Sequence, residues 1–369
     1  MALHLVKPEE IEVYQDIENI PELMNACLFY GPYDVRNEKI PTPKIKDGEI
    51  LVKIKAALTC GTDLKTFQRS HPILIRSTPS TFGHQFSGVV AKIGRGVKDF
   101  YVGQRVVALN SAPCFKCRFC TKEQFSLCEN IEFLNGAYAE YIVIPERIVK
   151  HNTYVIPEGV DFTTAAILES LAVVLHGIDR TRIEKGKTVC IIGTGSIGLL
   201  FTAISKFLGA IVISIGRNES KLSVSKKLGA DFTINIKDFP NEKDLLKKTN
   251  DITSGLGPEI VVEAVGLPEI WELSTKIVRR GGTVNLFGGC KKGTSVEIDT
   301  FRLHYEELKL IGVFHHTPDY AVKALKMLSE PFISQAVNKI ITHEFSLLEL
   351  KKAFEMQERG EIIQATIKP

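Results

Sequence analysis

The chain has 369 residues, of which 44% are hydrophobic and 24% are charged, and its formal net charge is +3. This length allows two domains, and the composition is that of an ordinary folded protein. The small charge, without a basic stretch that alternates with aromatic residues, argues against a nucleic-acid partner. The acidic start MALHLVKPEEIEVYQD lacks the apolar core of a signal peptide, and clustered thiols are typical of a reducing compartment, so a cytoplasmic location is expected.

The pattern of apolar residues divides the chain into regions. Residues 1–24 precede the first strand-like run, ACLFYG, and are predicted to form an N-terminal extension. From residue 25 to about 160, short β-like runs such as GEILVKIKAAL and FSGVVAKIG are broken by Gly and Pro, a pattern typical of a barrel-like region. From residue 188, strands and helices alternate, which predicts a doubly wound parallel sheet. Residues 346–369 predict an amphipathic helix and a closing strand that rejoins the first region.

The stretch TVCIIGTGSIGLLFTAIS, residues 188–205, carries no charge and is long enough to be considered as a membrane span. Gly193, Gly195 and Gly198 punctuate its first half, and Lys206 follows at once. A strand, a turn and a helix explain this pattern better than one continuous helix, so no membrane partner is expected.

The same three glycines form a G-x-G-x-x-G pattern between an apolar strand and an apolar helix, which is the context of a dinucleotide-binding loop. Backbone N–H groups at Ser196 and Ile197, at the start of the helix, would face the phosphates. The alternative is a glycine-rich turn without a ligand. The predicted cofactor site also includes three residues that follow later strands, Val265, Gly266 and Phe287.

The second strand of this region ends in AIVISIGRNESK, with Gly216 and Arg217 where an NAD-binding protein commonly has a ribose-binding carboxylate. A small residue followed by arginine leaves room for a 2′-phosphate and can pair with it, and Lys221 supplies a second cation one helical turn further on. This favours NADP over NAD. The alternative is that Arg217 is a solvated surface residue and that the cofactor is NAD.

Four of the eight cysteines lie within CFKCRFCTKEQFSLC, with the spacing C-x2-C-x2-C-x7-C. Four thiolates around a tetrahedral zinc leave no open position, so such a site would stabilise a loop rather than bind a substrate. An iron–sulfur cluster and a disulfide pair remain the alternatives. The four cysteines are Cys114, Cys117, Cys120 and Cys128.

Chemistry at a metal requires an open position, and other residues could supply it. The stretch LTCGTDLKTF contains Cys60, Thr62 and Asp63, and STFGHQFSGVV places His84 in a turn before an apolar strand. Glu169 is the only charged residue between Thr163 and Leu175 of an apolar helical stretch, where an unpaired carboxylate is costly. A helix-terminal glutamate that reaches solvent is the alternative, since Ser170 could mark a break.

Taken together, these motifs resemble the zinc-dependent medium-chain dehydrogenases/reductases, in particular the sorbitol (L-iditol) and threonine dehydrogenase branch. The similarity runs from about residue 25 to 369 and rests on CGTD, GHQFSGVV, the four-cysteine lobe, AYAEYIVIP, LES, GTGSIG, KKLGAD and FGG. It implies a GroES-like catalytic domain at residues 25–170 and 316–369, with a zinc lobe at about 110–131. It also implies an inserted Rossmann domain at residues 171–315, with the active site in the cleft between the domains.

The resemblance implies two zinc ions per chain and hydride transfer between NADP or NAD and an alcohol or polyol. Cys60, His84 and Glu169 would be ligands of the catalytic zinc, which would bind the substrate oxygen and lower its pKa. Thr62 would relay the proton, and Asp63 would orient the liganding histidine. The clustered cysteines would hold the structural zinc. A homo-oligomer, dimer or tetramer, is also expected.

Two departures from the family pattern are informative. Gln85 stands where the family usually has a glutamate that approaches the zinc, and it is retained as a candidate fourth ligand; Ser170 replaces a common proline. His315 and His316 either line the substrate pocket or form a surface pair near a subunit contact. The functional alternatives are a threonine dehydrogenase, a simple alcohol dehydrogenase, and a nucleotide-binding relative without catalytic zinc.

Overall fold

The computed structural model describes residues 19–369. Most of the predicted extension at residues 1–24 lies outside the described residues, and the first strand begins at Leu23. The strands of the N-terminal and C-terminal parts are β1 (Leu23–Gly31), β2 (Asp34–Pro41), β3 (Ile50–Leu58), β4 (Ser80–Thr81), β5 (Phe86–Ile93), β6 (Arg105–Ala108), β7 (Ser111–Ala112), β8 (Glu132–Phe133), β9 (Tyr141–Ile144), β10 (Thr153–Val155), β17 (Ile341–Ser346) and β18 (Gln364–Lys368). The strands between them are β11 (Thr188–Ile192), β12 (Ile211–Gly216), β13 (Phe232–Asn235), β14 (Ile260–Glu263), β15 (Thr283–Leu286) and β16 (Lys309–Gly312).

Twelve α-helices lie within the described residues 19–369. They are α1 (Gly61–Arg69), α2 (Glu146–Asn152), α3 (Phe162–Ala166), α4 (Leu168–Thr181), α5 (Ser196–Phe207), α6 (Glu219–Lys227), α7 (Glu242–Ile252), α8 (Pro268–Ile277), α9 (Thr300–Tyr305), α10 (Pro318–Leu328), α11 (Pro331–Ile340) and α12 (Leu350–Glu358). None of them combines the length and the hydrophobicity that crossing a bilayer requires. Residues 188–205 form a strand, a turn and most of a helix, which confirms the prediction made from their glycines.

The barrel-like region is built around β3. This strand pairs antiparallel with β5 over most of its length and with β9 at its start, and the pairs Leu58–Thr366 and Ala57–Ile367 join its end to β18. The full order is β10-β6-β5-β3-β18-β17. The closing strand therefore rejoins the first region, as the sequence predicts. Because β3 ends only two residues before Cys60, this pairing fixes where the candidate site begins.

Aromatic side chains fill the barrel core beneath that site. The rings of Phe67 and Phe354 stack with centroids 5.2 Å apart, and Phe82 meets Tyr138 edge to face at 4.9 Å. All four side chains are fully buried. Such offset and edge-on pairs stabilise the core beyond the area that they bury, and they hold the Tyr138 hydroxyl in place.

The second region is a six-stranded parallel sheet with the order β13-β12-β11-β14-β15-β16. Its apolar strands are buried on both faces, as parallel strands covered by helices are. The strand order reverses between β11 and β14, and ligands of such sheets bind at the carboxyl ends of the strands where this reversal occurs. The doubly wound fold predicted from residue 188 onward is confirmed.

The two regions are joined by α4 and by the segment that follows β16. Helix α10 packs against α4, and α11 packs against α5 and reaches β17. The predicted domain boundary at residues 315 and 316 falls in the connection between β16 and α10. That connection carries His315 and His316 into contact with the barrel side, where Ser111 lies 2.6 Å from His315 Nε2.

Candidate metal and cofactor sites

The end of β3 and the start of α1 create the first site. Cys60 is the N-cap of α1, and its sulfur accepts a hydrogen bond from the Asp63 backbone N–H at 3.4 Å. Helix N-termini stabilise thiolates. Thr62, in the first turn of the same helix, is half-buried. One short helical segment thus presents the sulfur, the hydroxyl and a carboxylate together.

His84 joins this group from the turn before β5. Its Nε2 lies 3.5 Å from the Cys60 sulfur, and its Nδ1 lies 2.9 Å from Asp63 Oδ1. The preceding Gly83 has a φ of +90°, and a Cβ there would come within 2.7 Å of the Tyr138 ring, so only glycine fits. The Tyr138 hydroxyl donates to Asp63 Oδ2 at 3.0 Å. Asp63 is therefore held from two sides and fixes the orientation of the imidazole.

The electrostatics of this group favour a positive charge. Burial alone would lower the pKa of His84, but the Asp63 carboxylate and the Cys60 sulfur outweigh it and raise the pKa well above the ordinary value. The 3.5 Å between sulfur and Nε2 also matches the edge of about 3.6 Å expected for a tetrahedral zinc with one Cys and one His ligand. The residues present therefore fit a zinc ion.

Glu169 is buried in the first turn of α4, after a break at Ile167 between α3 and α4. The break that a solvent-reaching glutamate requires is thus present, but the side chain is only 9% exposed, so that alternative is wrong. Glu169 influences the pKa of the Cys60 thiol, which is raised first by burial and then by Asp63. One of its carboxylate oxygens also lies within 4.8 Å of a ring nitrogen of His315 and of His316.

Gln85 contacts Glu169 directly. Its Nε2 lies 2.6 Å from Glu169 Oε2 and 2.6 Å from Ser170 Oγ. Its carbonyl oxygen, the atom of the amide that ligates metals, accepts a hydrogen bond from Gln364 Nε2 at 3.1 Å. The structure thus places Gln85 as a hydrogen-bond donor to the carboxylate.

His315 and His316 lie in a polar cluster at the point where the connection after β16 contacts the barrel region. His316 is 3% exposed, so an interpretation as a surface pair is wrong for it. Its Nε2 lies 3.2 Å from Asn110 Oδ1, and Ser111 Oγ lies 2.6 Å from Nε2 of His315. Burial lowers the pKa of His315 to about 3 and that of His316 well below the ordinary value. Both rings are therefore neutral at physiological pH.

The four clustered cysteines form a separate lobe. The sulfurs of Cys114 and Cys120 are 4.0 Å apart and those of Cys117 and Cys128 are 3.9 Å apart, close to the edge of about 3.8 Å in a tetrahedral four-thiolate zinc site. All are free thiols, so the disulfide alternative is not realised. Backbone N–H groups, first that of residue 120, lower the pKa of Cys117 to about 6, whereas burial raises that of Cys120 to about 12.

The glycine loop lies at the carboxyl end of β11, at the reversal of strand order. Gly193 has a φ of +116°, and a Cβ on Gly198 would come within 1.9 Å of the Gly193 carbonyl oxygen. Gly195 precedes Ser196 and Ile197 at the start of α5, and the space beside its Cα is open. The turn therefore needs its glycines for conformation and close packing and leaves room for a phosphate.

A buried carboxylate that sequence reasoning missed supports the adjacent loop. Glu263, at the end of β14, accepts hydrogen bonds from the backbone of Val265 and Gly266 at 2.7 and 2.8 Å, and its own carbonyl accepts from Phe287 at 3.1 Å. Burial raises its pKa. One residue, through its side chain and its backbone carbonyl, thus connects the three predicted cofactor residues that follow β14 and β15. An acidic residue at the end of the apolar run IVVE is the signal that could have revealed it.

The end of β12 carries the residues that bear on cofactor choice. Arg217 is exposed, and Lys221 follows in the first turn of α6. Burial, and then the charge of Arg217, lower the pKa of Lys221, so two cations approach each other here. Among residues 19–369, the ion pairs engage neither of them. Beside them, a Cβ on Gly216 would approach Thr194 Oγ1 to 2.6 Å.

A barrel with a cysteine–histidine centre, joined to a dinucleotide-type sheet, defines a two-domain nicotinamide-dependent dehydrogenase. Two family descriptions match the chain: "Alcohol dehydrogenase GroES-like domain" at residues 46–156 and "Zinc-binding dehydrogenase" at residues 196–330. The chain belongs to the zinc-dependent medium-chain dehydrogenases.

Relatives and solved structures agree with this assignment over nearly the whole chain. Sorbitol dehydrogenase of Halalkalibacterium halodurans is 30% identical over 351 residues, which is 92% of this chain and 96% of the relative. L-threonine 3-dehydrogenase of Bacillus subtilis is 30% identical over 339 residues, 90% of this chain and 94% of the relative. A protein described as a zinc-binding dehydrogenase from Sinorhizobium meliloti, solved with NADP, is 27% identical with a TM-score of 0.84, covering 95% of this chain and all (100%) of that one.

Proposed function

We propose that this enzyme transfers a hydride between NADP and a secondary alcohol of the polyol type, with the corresponding ketone as the other product or substrate. The observation that carries the proposal is the arrangement of Cys60, His84 and Asp63. The names of the relatives, among them sorbitol and erythritol/L-threitol dehydrogenases, support the substrate class. A screen of polyols, sugars, amino alcohols and primary alcohols with NADP and NAD tests it, and turnover of none of them would refute it.

Cys60, His84 and Glu169 would hold the catalytic zinc, and Cys114, Cys117, Cys120 and Cys128 the structural one. When bound, zinc supplies a Lewis acid that stabilises negative charge on a substrate oxygen. Asp63 keeps the His84 proton on Nδ1 and so leaves Nε2 as the ligand atom. Gln85 acts as the positioning donor for Glu169.

The hydroxyl of Thr62 would relay the proton, and this residue lies two positions after Cys60 in the first turn of α1. It would accept the proton of the substrate hydroxyl and pass it toward solvent, since a hydroxyl is both donor and acceptor. The loops at Gly193–Gly198 and Val265–Gly266 would hold the cofactor at the cleft and exclude water from the reacting atoms. A Thr62→Val variant, which keeps the shape and removes the hydroxyl, should fold normally and lose most of its turnover.

The preference for NADP rests on the two cations at the end of β12. Arg217 and Lys221 approach each other without an ion-pair partner in the described part of the chain, and an anion would relieve their repulsion. A 2′-phosphate is the anion that distinguishes NADP from NAD. The S. meliloti protein solved with NADP is consistent with this preference.

The polar cluster of Asn110, Ser111, His315 and His316 supports an uncharged, hydroxyl-rich substrate. These side chains offer neutral hydrogen-bonding groups, whereas a threonine substrate would need a partner for its carboxylate. Threonine dehydrogenase is the second candidate because a relative of that name is equally similar. A simple alcohol dehydrogenase and a nucleotide-binding protein without catalytic zinc are the remaining ones. A measurement of zinc content distinguishes the enzyme from the nucleotide-binding protein: two zinc ions per chain support the enzyme, and one supports the binding protein.

The edge of the parallel sheet supports a homo-oligomer. Strand β16 is an edge strand in the described chain, and unprotected edges pair readily with a second copy. In α9, which precedes this strand, the rings of Phe301 and Tyr305 lie 4.7 Å apart and the residues are 64% and 69% exposed. Phe301→Lys combined with Tyr305→Lys should shift light-scattering mass toward the monomer. The eight free cysteines fit the cytoplasm, where we propose the enzyme acts.

A further inference from the structure

The C-terminal end of α12 contacts the N-terminal end of α6, so the barrel region reaches the segment that follows β12. Asn218 Nδ2 donates a hydrogen bond of 3.2 Å to the Gly360 carbonyl oxygen, across 142 residues of sequence. Helix α12 is anchored in the barrel core by Phe354, whose ring stacks on that of Phe67. Helix α6 follows Arg217, one of the two cations on which the proposed NADP preference rests. The contact therefore joins the barrel region to the proposed 2′-phosphate site.

Gly360 is suited to this contact by its backbone conformation and by its lack of a side chain. Its φ is +77°, in the left-handed region that glycine adopts without strain. A Cβ there would lie 3.1 Å from Asn218 Nδ2 and 3.9 Å from Lys221 Nζ. The N–H of Gly360 donates to the Gln357 carbonyl at 3.1 Å, which fixes the turn at the end of α12. Asn218 and the ammonium group of Lys221 thus lie close to the bare backbone of this turn.

Asn218 holds the same lysine through its backbone. It is the N-cap of α6, and its Oδ1 accepts hydrogen bonds from the Lys221 backbone N–H at 3.3 Å and from the Ser220 hydroxyl at 2.6 Å. An N-cap needs only the oxygen of the amide, so the nitrogen remains for Gly360. One side chain thus fixes the backbone of Lys221 and ties it to the turn beside its ammonium group.

Two acidic side chains of this turn are engaged elsewhere. Glu361 binds both Nε and Nη2 of Arg359, at 2.6 and 3.2 Å, and Glu358 accepts hydrogen bonds from two side chains of the barrel region, at 2.9 and 2.8 Å. None of the ion pairs among residues 19–369 includes Lys221. Burial, and then the charge of Arg217, lower the pKa of Lys221, as expected for a cation without an anionic partner. The end of a helix favours a nearby cation, so backbone groups hold the lysine while its charge remains available to a ligand.

We propose that Asn218 and Gly360 are positioning residues that place the Lys221 ammonium group for the 2′-phosphate of NADP. They act through Lys221 and need not touch the cofactor themselves. The inference rests on the NADP preference proposed above, and it adds that the barrel region takes part in cofactor selection. NAD carries a hydroxyl instead of that phosphate, so its binding should be independent of this contact.

The test titrates the zinc-loaded enzyme with NADPH and with NADH and follows the fluorescence of the bound cofactor, which requires no alcohol substrate. Asn218→Ser keeps an N-cap oxygen but lacks the nitrogen that bonds Gly360. It should raise the Kd for NADPH about threefold to tenfold, the effect of one lost hydrogen bond, and leave the Kd for NADH unchanged. Gly360→Ala should have the same effect. Gly159→Ala is the control, because Gly159 has a φ of +78° with no atom near its Cβ position, and it should change neither Kd.

A double variant tests whether the effect passes through Lys221. Lys221→Ala should itself raise the Kd for NADPH, and Asn218→Ser added to it should change that Kd no further, because no cation remains to be positioned. Three results would overturn the inference, with folding checked by circular dichroism. They are an equal loss of NADPH and NADH affinity in Asn218→Ser, a loss that is undiminished in the Lys221→Ala enzyme, and an unchanged Kd for NADPH in both Asn218→Ser and Gly360→Ala.

The same titrations separate this inference from the proposed function. If Lys221→Ala weakens NADPH binding and neither positioning variant does, the inference alone is wrong. If Lys221→Ala leaves the Kd for NADPH unchanged, Lys221 does not bind the phosphate, and both the inference and the role given to this lysine in the NADP preference fail. Turnover of polyols is measured separately, and its absence contradicts the proposed substrate class alone.

Discussion

Gln85 Nε2 donates a hydrogen bond of 2.6 Å to Glu169 Oε2, linking the start of β5 to the first turn of α4. The resemblance to the family leads one to expect a glutamate at position 85, and a glutamate could not donate here without carrying a proton. The amide group of Gln85 donates hydrogen bonds to Glu169 and Ser170, and its oxygen accepts one from Gln364. The presence of glutamine instead of glutamate at position 85 is thus explained by the need to donate a hydrogen bond to Glu169.

Gln85→Leu should destabilise the protein, because Glu169 and Gln364 both lose a buried partner. The expected loss in the free energy of unfolding is about 1–3 kcal/mol, measured by urea denaturation of the zinc-loaded enzyme. Gln68→Leu, at a surface position that bonds Glu358, is the control and should change stability by no more than about 0.5 kcal/mol. Equal unfolding midpoints for the two variants would contradict the role given to Gln85.

Asp63→Asn should weaken metal binding at the proposed catalytic site while leaving the fold intact. The amide keeps the size of the side chain but loses the charge that holds the His84 Nδ1 proton at 2.9 Å. Removing such a partner typically costs about 10–100-fold in metal affinity. Competition with a chromophoric chelator measures this. Tyr138→Phe removes only the hydroxyl that donates to Asp63, so its effect should be smaller, and the reverse order would argue against this chain of contacts.

Comparing Cys117→Ser with Cys60→Ser should distinguish the structural role of one proposed metal site from the catalytic role of the other. Because a four-thiolate zinc has no open position, Cys117→Ser should lower thermal stability more than intrinsic turnover. Cys60→Ser should abolish turnover while the protein stays folded. Metal content, melting temperature and turnover of each folded variant decide the matter. A well-folded Cys117→Ser enzyme that keeps its other zinc and has no turnover would show that the assignment is reversed.

Arg217→Ala should weaken the binding of NADP and leave the binding of NAD nearly unchanged. A charge-assisted hydrogen bond contributes about 1.5–3 kcal/mol, so the KM for NADP should rise about tenfold to a hundredfold. Lys227→Ala, which removes an exposed lysine from the last turn of α6, serves as the control. Steady-state kinetics with both cofactors measure the change. A wild type that prefers NAD by tenfold or more would contradict the assignment of this strand end.

The reverse change, Gly216→Asp, needs a compensating substitution. An aspartate there would place a carboxylate for the ribose of NAD, but its Cβ would come within 2.6 Å of Thr194 Oγ1. Thr194 is itself only 7% exposed and has little room to move. We therefore expect Gly216→Asp to bind NAD well only when Thr194→Gly makes space, as kinetics of the single and double variants would show.

Local patterns in the sequence were enough to predict most of the fold. The strand, turn and helix at residues 188–205 follow from three glycines between apolar runs, and the closing strand follows from alternation near the end of the chain. The proximity of Cys60 to His84 required the family resemblance, because 24 residues separate them. Periodicity is a local signal, so it predicts helices and strands more readily than contacts between residues that are distant in the sequence.

The parts of the site that were missed depend on distant contacts. Ser111 meets His315 across 204 residues of sequence, and Gln364 meets Gln85 across 279. Serines and glutamines are common, and nothing in their neighbours marks them. Glu263 is different, since an acidic residue at the end of an apolar strand is visible in the sequence; only the backbone groups that it binds were not.

Strand β18 supports the metal centre from a distant part of the sequence. Thr59, directly before Cys60, donates its N–H to the Ala365 carbonyl and accepts from the Ala365 N–H through its hydroxyl, both at 3.0 Å. The neighbouring Gln364 completes the network around Gln85. Ala365 follows Thr59 by 306 residues, so these contacts form only after both regions of the fold have been synthesised. A nascent chain that contains the glycine loop but not residues 364 and 365 would therefore lack these supports of its metal centre.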